Sequence, residues 1–154
     1  YSYLKKQLIN KGYSFKSDTD SEVLAVLIGA IYDQVFDLEK AVRIALTEVE
    51  GTYGIVAISS YEPNKIIGAR LGSPMVVGVS DSDYIIASDV SAIVQHTRQV
   101  IYLEDNEMVI IDDKQFVTKT IDNIKTKSTI HQIDFDIDEI EKRSYDHFML
   151  KEIF

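Results

Sequence analysis

The chain has 154 residues, 45% of them hydrophobic and 27% charged, which is the composition of one globular domain and excludes a disordered, collagen-like or low-complexity protein. A formal charge of −9 argues against a nucleic-acid-binding protein, because phosphate neutralisation requires clustered Lys and Arg. The absence of cysteine removes disulfides, thiolate metal ligands and cysteine nucleophiles from the chemistry of this chain.

Three helices are predicted in the first third of the chain. The first covers residues 4–12, because Gly12 can adopt the left-handed conformation that ends a helix. Thr19-Asp20-Ser21-Glu22 has the form of a capping box, in which Thr19 accepts from a free amide and Glu22 reaches back, so a second helix begins there and runs to Phe36. Its apolar positions lie almost all round, which predicts cover on more than one side. A third helix, apolar on one face, follows from Leu38 and ends near Gly51.

After Gly51 the pattern changes to short β-branched and aromatic segments separated by turn residues. Seven strands are predicted, at 54–60, 66–69, 75–79, 84–87, 100–103, 108–111 and 116–120, with turns at 62–64, 81–83 and 105–107. Helices followed by consecutive hairpins predict an α+β fold with mainly antiparallel sheets. Alternation over 133–138 suggests an extended edge segment, and 148–154 a further helix.

No metal or cofactor site is predicted. Asp134, Asp136 and Asp138 resemble the start of a calcium loop, but Glu139 replaces the required glycine and Tyr145 stands where the bidentate Glu belongs. An acid-faced edge strand is therefore the better interpretation. The three histidines, His96, His131 and His147, are too scattered for a zinc ligand pair, and neither a Gly-x-Ser-x-Gly elbow nor a phosphate-cradling glycine loop is found.

Neither a membrane span nor a signal peptide is visible, since the chain has no run of about 18 apolar residues and no basic-then-apolar leader at Tyr1. These features predict a cytosolic location. The chain begins directly with a helical pattern and not with Met, which suggests a piece cut from a longer protein.

Asp20 is the acid with the strongest functional interpretation. It lies in the first turn of a strongly apolar helix, where free amides and the helix dipole favour the ionised form of its carboxyl group. An ionised carboxylate fixed at a helix end can hold an ammonium group. From physics alone, an acid that merely helps the helix to start is the commoner case.

Several short motifs occur together along the chain: Lys11-Gly12-Tyr13, 17–23, Glu50-Gly51-Thr52-Tyr53-Gly54, 69–74, Ala87-Ser88-Asp89, Thr97-Arg98, 102–105 and 147–153. In this combination they resemble the glutaminase half of the glutamine-fructose-6-phosphate aminotransferase (glucosamine-6-phosphate synthase) family. The capping-box region and the Gly-x-Tyr-Gly and Gly-Ser-Pro turns are similar to those of several class II glutamine amidotransferases. The His-Phe-Met-Leu-Lys-Glu-Ile ending is similar to the segment that leads toward the sugar-phosphate isomerase domain.

The resemblance implies part of a four-layer αββα Ntn-hydrolase fold whose N-terminal portion lies outside the chain. In that family an N-terminal cysteine attacks the side-chain amide of glutamine, its own α-amine acts as base, and the ammonia converts fructose 6-phosphate to glucosamine 6-phosphate. Residues 1–154 would be the later part of the glutaminase domain, with 123–154 leading toward the isomerase domain. Asp20 would hold the α-ammonium of glutamine, and the chain alone would be inactive because it lacks the nucleophile.

Other family positions receive no chemical role from the resemblance, namely Arg98, Glu104, His147, Lys151 and Glu152. Expected partners are glutamine, the absent N-terminal segment and the isomerase domain, without nucleic acid or membrane. Self-association is also expected, because the missing segment would leave strand edges open. Two alternatives stay open: a non-catalytic acidic interaction module with the same fold, and a fragment of an amidophosphoribosyltransferase.

Overall fold

A computed structural model describes residues 1–113 and 115–134, and every structural statement below concerns these residues. The expected helix at 148–154 and most of the expected extended segment lie outside them. So do Asp136 and Asp138 of the calcium-like motif, together with His147, Lys151 and Glu152.

The three expected helices are present: α1 at Ser2–Asn10, α2 at Asp20–Val35 and α3 at Leu38–Thr47. Thr19 caps α2, since its Oγ1 accepts from the amide of Glu22 at 3.3 Å. The predicted return of the Glu22 side chain to the amide of the capping residue is wrong. The Glu22 carboxylate accepts from the amides of Lys16 at 2.6 Å and Ser17 at 2.7 Å, because the preceding loop folds back over the first helical turn and presents these donors.

The strands form two four-stranded sheets in which every ladder is antiparallel. In chain order they are β1 Tyr53–Ser59, β2 Glu62–Leu71, β3 Val76–Val79, β4 Tyr84–Ala87, β5 Gln99–Tyr102, β6 Glu107–Ile111, β7 Phe116–Thr120 and β8 His131–Gln132. The first sheet has the order β1-β2-β6-β7 and the second β4-β3-β5-β8. This arrangement confirms the α+β prediction.

The first hairpin differs from the predicted one. Residues 62–64 were expected to turn, but Glu62 already pairs with Ser59 and the chain reverses at Ser60 and Tyr61. Pro63 is tolerated within β2 because the ladder to β6 begins only at Ile66, so the missing proline N–H is not needed on that side. Of the expected edge segment at 133–138, only residues 133 and 134 are described; they follow β8 directly, and Ile133 is buried.

Alternating side chains divide the core into layers. Residues on one face of the first sheet, among them Ile67, Ala69 and Met108, pack against α2 and α3. The other face contributes Val109 and Ile111 to a core shared with the second sheet. On the far side of the second sheet, a smaller core includes residues that surround a short 3-10 helix at Val90–Ala92. The described residues thus supply a helical layer and two stacked sheets.

Gly68 lets the two sheets approach each other. A Cβ at this position would lie 3.0 Å from Met75 Sδ and 3.2 Å from both Ile86 Cδ1 and Val109 Cγ1. The lack of a side chain at Gly68 therefore allows the two sheets to pack closely beneath the region where β1 and β2 contact α2.

Candidate functional site

A cavity of about 610 Å³ opens at the N-terminal end of α2. Asp20 lies at its rim as the first residue of that helix. The opposite side consists of the segment between α3 and β1 and of Ser73 in the turn after β2. Polar groups from these three regions line the space: Asp20, Glu48, Glu50, Thr52, Ser73 and the start of β1 at Tyr53 and Gly54.

The Asp20 side chain is exposed and has no hydrogen-bond or ion-pair partner in the described part of the chain. Thr19 satisfies the amide of Glu22, while Asp20 itself remains available at the positive end of the helix dipole. Glu48 and Glu50 add negative charge to the same cavity. The arrangement is suited to a cationic group, such as an ammonium ion carried by a small polar ligand.

The loop before α2 is held in place by α1. Lys5 donates to Asp18 Oδ1 at 3.3 Å and to the carbonyl of Ser17 at 3.4 Å, and its ammonium lies 5.3 Å from the ring centroid of Phe15. The backbone amides of Lys16 and Ser17, both in this loop, donate hydrogen bonds to the Glu22 carboxylate. Together with the Ser17 hydroxyl they lower the pKa of the Glu22 carboxyl group. The first turn of α2, and hence Asp20, is positioned by these contacts.

The turn at Gly72 and Ser73 forms another wall of the cavity and is tightly constrained. Gly72 has a φ of +82°, and a Cβ there would lie only 2.4 Å from Thr52 Cγ2. The Gly72 amide donates to Asp105 Oδ1 at 2.8 Å. Only glycine satisfies both the backbone angle and the close approach of Thr52.

Asp105 connects this turn to the second sheet through Arg70. Arg70 Nη2 donates to Asp105 Oδ1 at 2.9 Å, and Nη1 donates to the carbonyl of Leu103 at 2.6 Å. The resemblance had included Arg70 and Asp105 without assigning them a role. In the structure they act as a clamp that places Ser73 beside β1.

Tyr53 is the buried polar residue of the cavity wall. Only 8% of its surface is exposed, and its hydroxyl has no hydrogen-bond partner among the described residues. Burial raises the pKa of Tyr53, and the nearby charge of Asp105 adds to the shift. The hydroxyl is therefore neutral at physiological pH and serves only as a hydrogen-bonding group.

The other residues singled out from the sequence lie away from this cavity. Arg98 Nη1 donates to the carbonyl of Ile133 at 3.3 Å, and Glu104 is exposed near the Arg70 clamp. His96 is exposed, and His131 packs edge-on against the ring of Tyr102. The sequence predicts Asp20 as a candidate site residue but does not predict the cavity that it lines; the Gly-x-Tyr-Gly and Gly-Ser-Pro motifs mark the segments on the other side of that cavity.

Comparison with known proteins places this architecture in a class. The helical layer and the two stacked antiparallel sheets define part of an Ntn-type, class II glutamine amidotransferase fold. A solved structure of glutamine phosphoribosylpyrophosphate amidotransferase from B. subtilis, complexed with ADP and GMP, matches with a TM-score of 0.65 and 29% identity over 78% of this chain and 26% of that chain. No protein-family model matches the chain.

Sequence relatives define the family more narrowly. Glutamine–fructose-6-phosphate aminotransferases from Chlorobaculum tepidum, Methanothermobacter thermautotrophicus and Bacteroides thetaiotaomicron are 50%, 48% and 41% identical over 100%, 99% and 100% of this chain. The chain spans 25%, 26% and 25% of those proteins. Along its whole length it is therefore homologous to glutamine–fructose-6-phosphate aminotransferases and corresponds to about a quarter of such a protein. Within the described residues, no helix is long and apolar enough to cross a membrane.

Proposed function

We propose that this chain is the later part of the glutamine-hydrolysing domain of an enzyme that transfers ammonia from glutamine to fructose 6-phosphate, giving glucosamine 6-phosphate and glutamate. The observation that carries the proposal is the exposed, unpaired carboxylate of Asp20 at a cavity in a chain that is 50% identical to such an aminotransferase. The 29% identity to the phosphoribosylpyrophosphate amidotransferase makes that enzyme the weaker alternative.

In this proposal Asp20 holds the α-ammonium group of glutamine. The Thr19 cap holds the first turn of α2, which carries Asp20, and the adjoining space of about 610 Å³ is adequate for an amino acid. The chain contains no cysteine, so the attacking thiol comes from a segment preceding Tyr1 in the longer protein. Residues 123–154 lead toward the sugar-phosphate isomerase domain.

An assay of glutaminase activity tests whether catalysis requires the preceding segment in addition to this chain. Ammonia release from L-glutamine is measured for the purified chain and for the protein extended to the start of its gene. We expect release only from the extended protein. Ammonia released by the chain alone would contradict the proposal, as would an extended reading frame without an N-terminal cysteine.

The role of Asp20 is tested in the extended protein with Asp20→Asn. Loss of one charge-assisted bond of about 1.5–3 kcal/mol predicts a KM for glutamine raised roughly 10- to 150-fold. Asp81→Asn is the matched control, because Asp81 is an exposed acid in the turn between β3 and β4 and does not line the cavity. An equal effect of both substitutions would count against a specific ammonium contact.

We further propose a cytosolic location, by analogy with biosynthetic enzymes of this family, and self-association of the chain through β1. This strand is an outer edge of the first sheet and contains neither charge nor proline over its seven residues. Sedimentation over a wide concentration range tests self-association, and a strictly monomeric species would refute it.

A further inference from the structure

One face of α2 remains uncovered by the residues that the structure describes. The sequence of this helix is apolar almost all round, which is typical of a helix packed on more than one side. Only Val23 and Ile28 are buried, whereas Ala25 and Gly29 are exposed. A Cβ placed on Gly29 would meet nothing within 4 Å. The uncovered face is therefore an open apolar surface.

Phe36, at the C-terminal end of α2, is both strained and exposed. Its φ of 55° and ψ of 33° lie in the left-handed region, where glycine or asparagine is favoured and a bulky residue is an outlier. Its side chain is 75% exposed. Neither property stabilises the isolated domain, so the residue points to an interaction outside it.

Phe36 belongs to a row of three aromatic rings that we call the aromatic ladder. Tyr32 stacks on Tyr61 with a centroid distance of 5.7 Å and an interplanar angle of 15°, and Phe36 meets Tyr32 edge-on at 6.4 Å. Burial and a hydrogen bond to Glu62 raise the pKa of Tyr32. Glu62 also accepts from the amide of Leu38 at 2.8 Å, which links the ladder to the start of α3.

A second cavity, of about 340 Å³, lies between the ladder and the open face of α2. Gly29 and Ile58 line it, and Ile58 is 76% exposed. Tyr61 is 78% exposed, so an arriving side chain can reach its ring without any rearrangement of the fold. The ladder and this groove form one continuous apolar surface at the C-terminal half of α2.

The charges at this surface are negative. Asp33 lines the groove, is exposed and has no ion-pair or hydrogen-bond partner in the described part of the chain. Asp37 caps α3 by accepting from the amide of Lys40 at 3.2 Å. The nearby Lys65 is neutralised by Glu62 at 3.2 Å. A second copy would bring another Asp33 to the same place, and repulsion between the two carboxylates disfavours self-pairing at this surface.

We propose that the aromatic ladder, together with Asp33, is a docking surface for an arginine-bearing apolar segment of a partner protein. A planar guanidinium group stacks on tyrosine faces and pairs with a carboxylate at the same time, and lysine does this less well. Apolar neighbours of the arginine fill the groove beside Gly29 and Ile58. This surface is independent of the proposed glutamine site, since the cavity at Asp20 shares none of the ladder residues.

The probe is the blocked peptide acetyl-Arg-Leu-Arg-Leu-amide, titrated into the ¹⁵N-labelled chain and followed by amide chemical shifts. Two further peptides carry citrulline or lysine in place of arginine. We expect shifts confined to the groove and the C-terminal end of α2, with affinity at least about fivefold lower for the citrulline peptide and measurably lower for the lysine peptide.

Substitutions then localise the surface. Tyr61→Ala and Asp33→Asn should each weaken the arginine peptide by about fivefold, whereas the exposed controls Tyr3→Ala and Asp122→Asn should leave it unchanged. Phe36→Asn should also weaken binding while keeping or raising the melting temperature, which separates a binding role from a structural one. Equal binding of the citrulline peptide, shifts centred on Asp20, or a peptide-independent dimer formed through the ladder would each overturn the proposal.

Discussion

Replacing Gly72 by alanine tests how the wall of the Asp20 cavity is built. The substitution places a Cβ at a φ of +82° and within 2.4 Å of Thr52 Cγ2. The left-handed conformation costs a non-glycine residue about 1–2 kcal/mol, and overpacking against Thr52 costs a further ~1–3 kcal/mol. We therefore expect a loss of about 2–5 kcal/mol in the free energy of unfolding.

Gly51→Ala is the matched control, because Gly51 has a φ of +96° but a Cβ there would meet nothing within 4 Å. Only the backbone contribution of about 1–2 kcal/mol applies to it. Urea denaturation of both variants measures the difference as a shift in midpoint at constant slope. If Gly72→Ala costs no more than Gly51→Ala, the close contact with Thr52 does not constrain this turn.

Three further changes probe the contacts around the site. Asp105→Ala should destabilise the chain by about 1–2 kcal/mol, because the Arg70 guanidinium and the Gly72 amide lose an acceptor. Asp81→Ala, at an exposed position, should change the free energy of unfolding by less than about 0.5 kcal/mol. The urea midpoints of the two variants measure this difference. The lowered pKa of Glu22 contributes stability that is present above pH 4.5 and is lost as the pH falls through the folded-state pKa. The stability difference between the native chain and Glu22→Gln should therefore shrink on acidification. Urea titrations from neutral pH to about pH 3 measure this difference. Glu107→Ala removes a buried carboxylate that accepts from the Thr126 hydroxyl and the Glu104 amide and should cost about 2–4 kcal/mol; a smaller loss than that of Asp105→Ala would refute its structural role.

The class of fold could be predicted from the order of local patterns. A capping residue at Thr19 and a helical apolar repeat identify α2, and the change to short β-branched segments after Gly51 identifies the strands. These signals are local because helix caps and strand alternation depend on residues close together in sequence. The predicted turn of the first hairpin was wrong because only these local signals were available. Pro63 is a turn signal in isolation, but the free edge of β2 at that position tolerates it.

The candidate site likewise combines a feature that local sequence predicts with features that depend on the fold. Asp20 could be identified because it sits at a helix start and matches a family motif, and both properties are written in a few adjacent residues. The cavity could not, since Asp20, Thr52 and Ser73 come from three segments that only the packed sheets bring together. The partners of Glu22 were likewise decided by the fold, through a loop that returns over the helix.

By itself, then, the amino-acid sequence determined the helices, most of the strands, the acidic residue at the start of α2 and the kinship with glutamine–fructose-6-phosphate aminotransferases. Only the tertiary structure decided that Arg70 and Asp105 clamp the Gly72 turn beside that acid, and that the described residues leave Phe36 and Tyr61 of the aromatic ladder exposed. The physical reason is that hydrogen bonds and burial between distant segments depend on the packing of the layers, whereas caps and periodicity are fixed within a few residues of the chain.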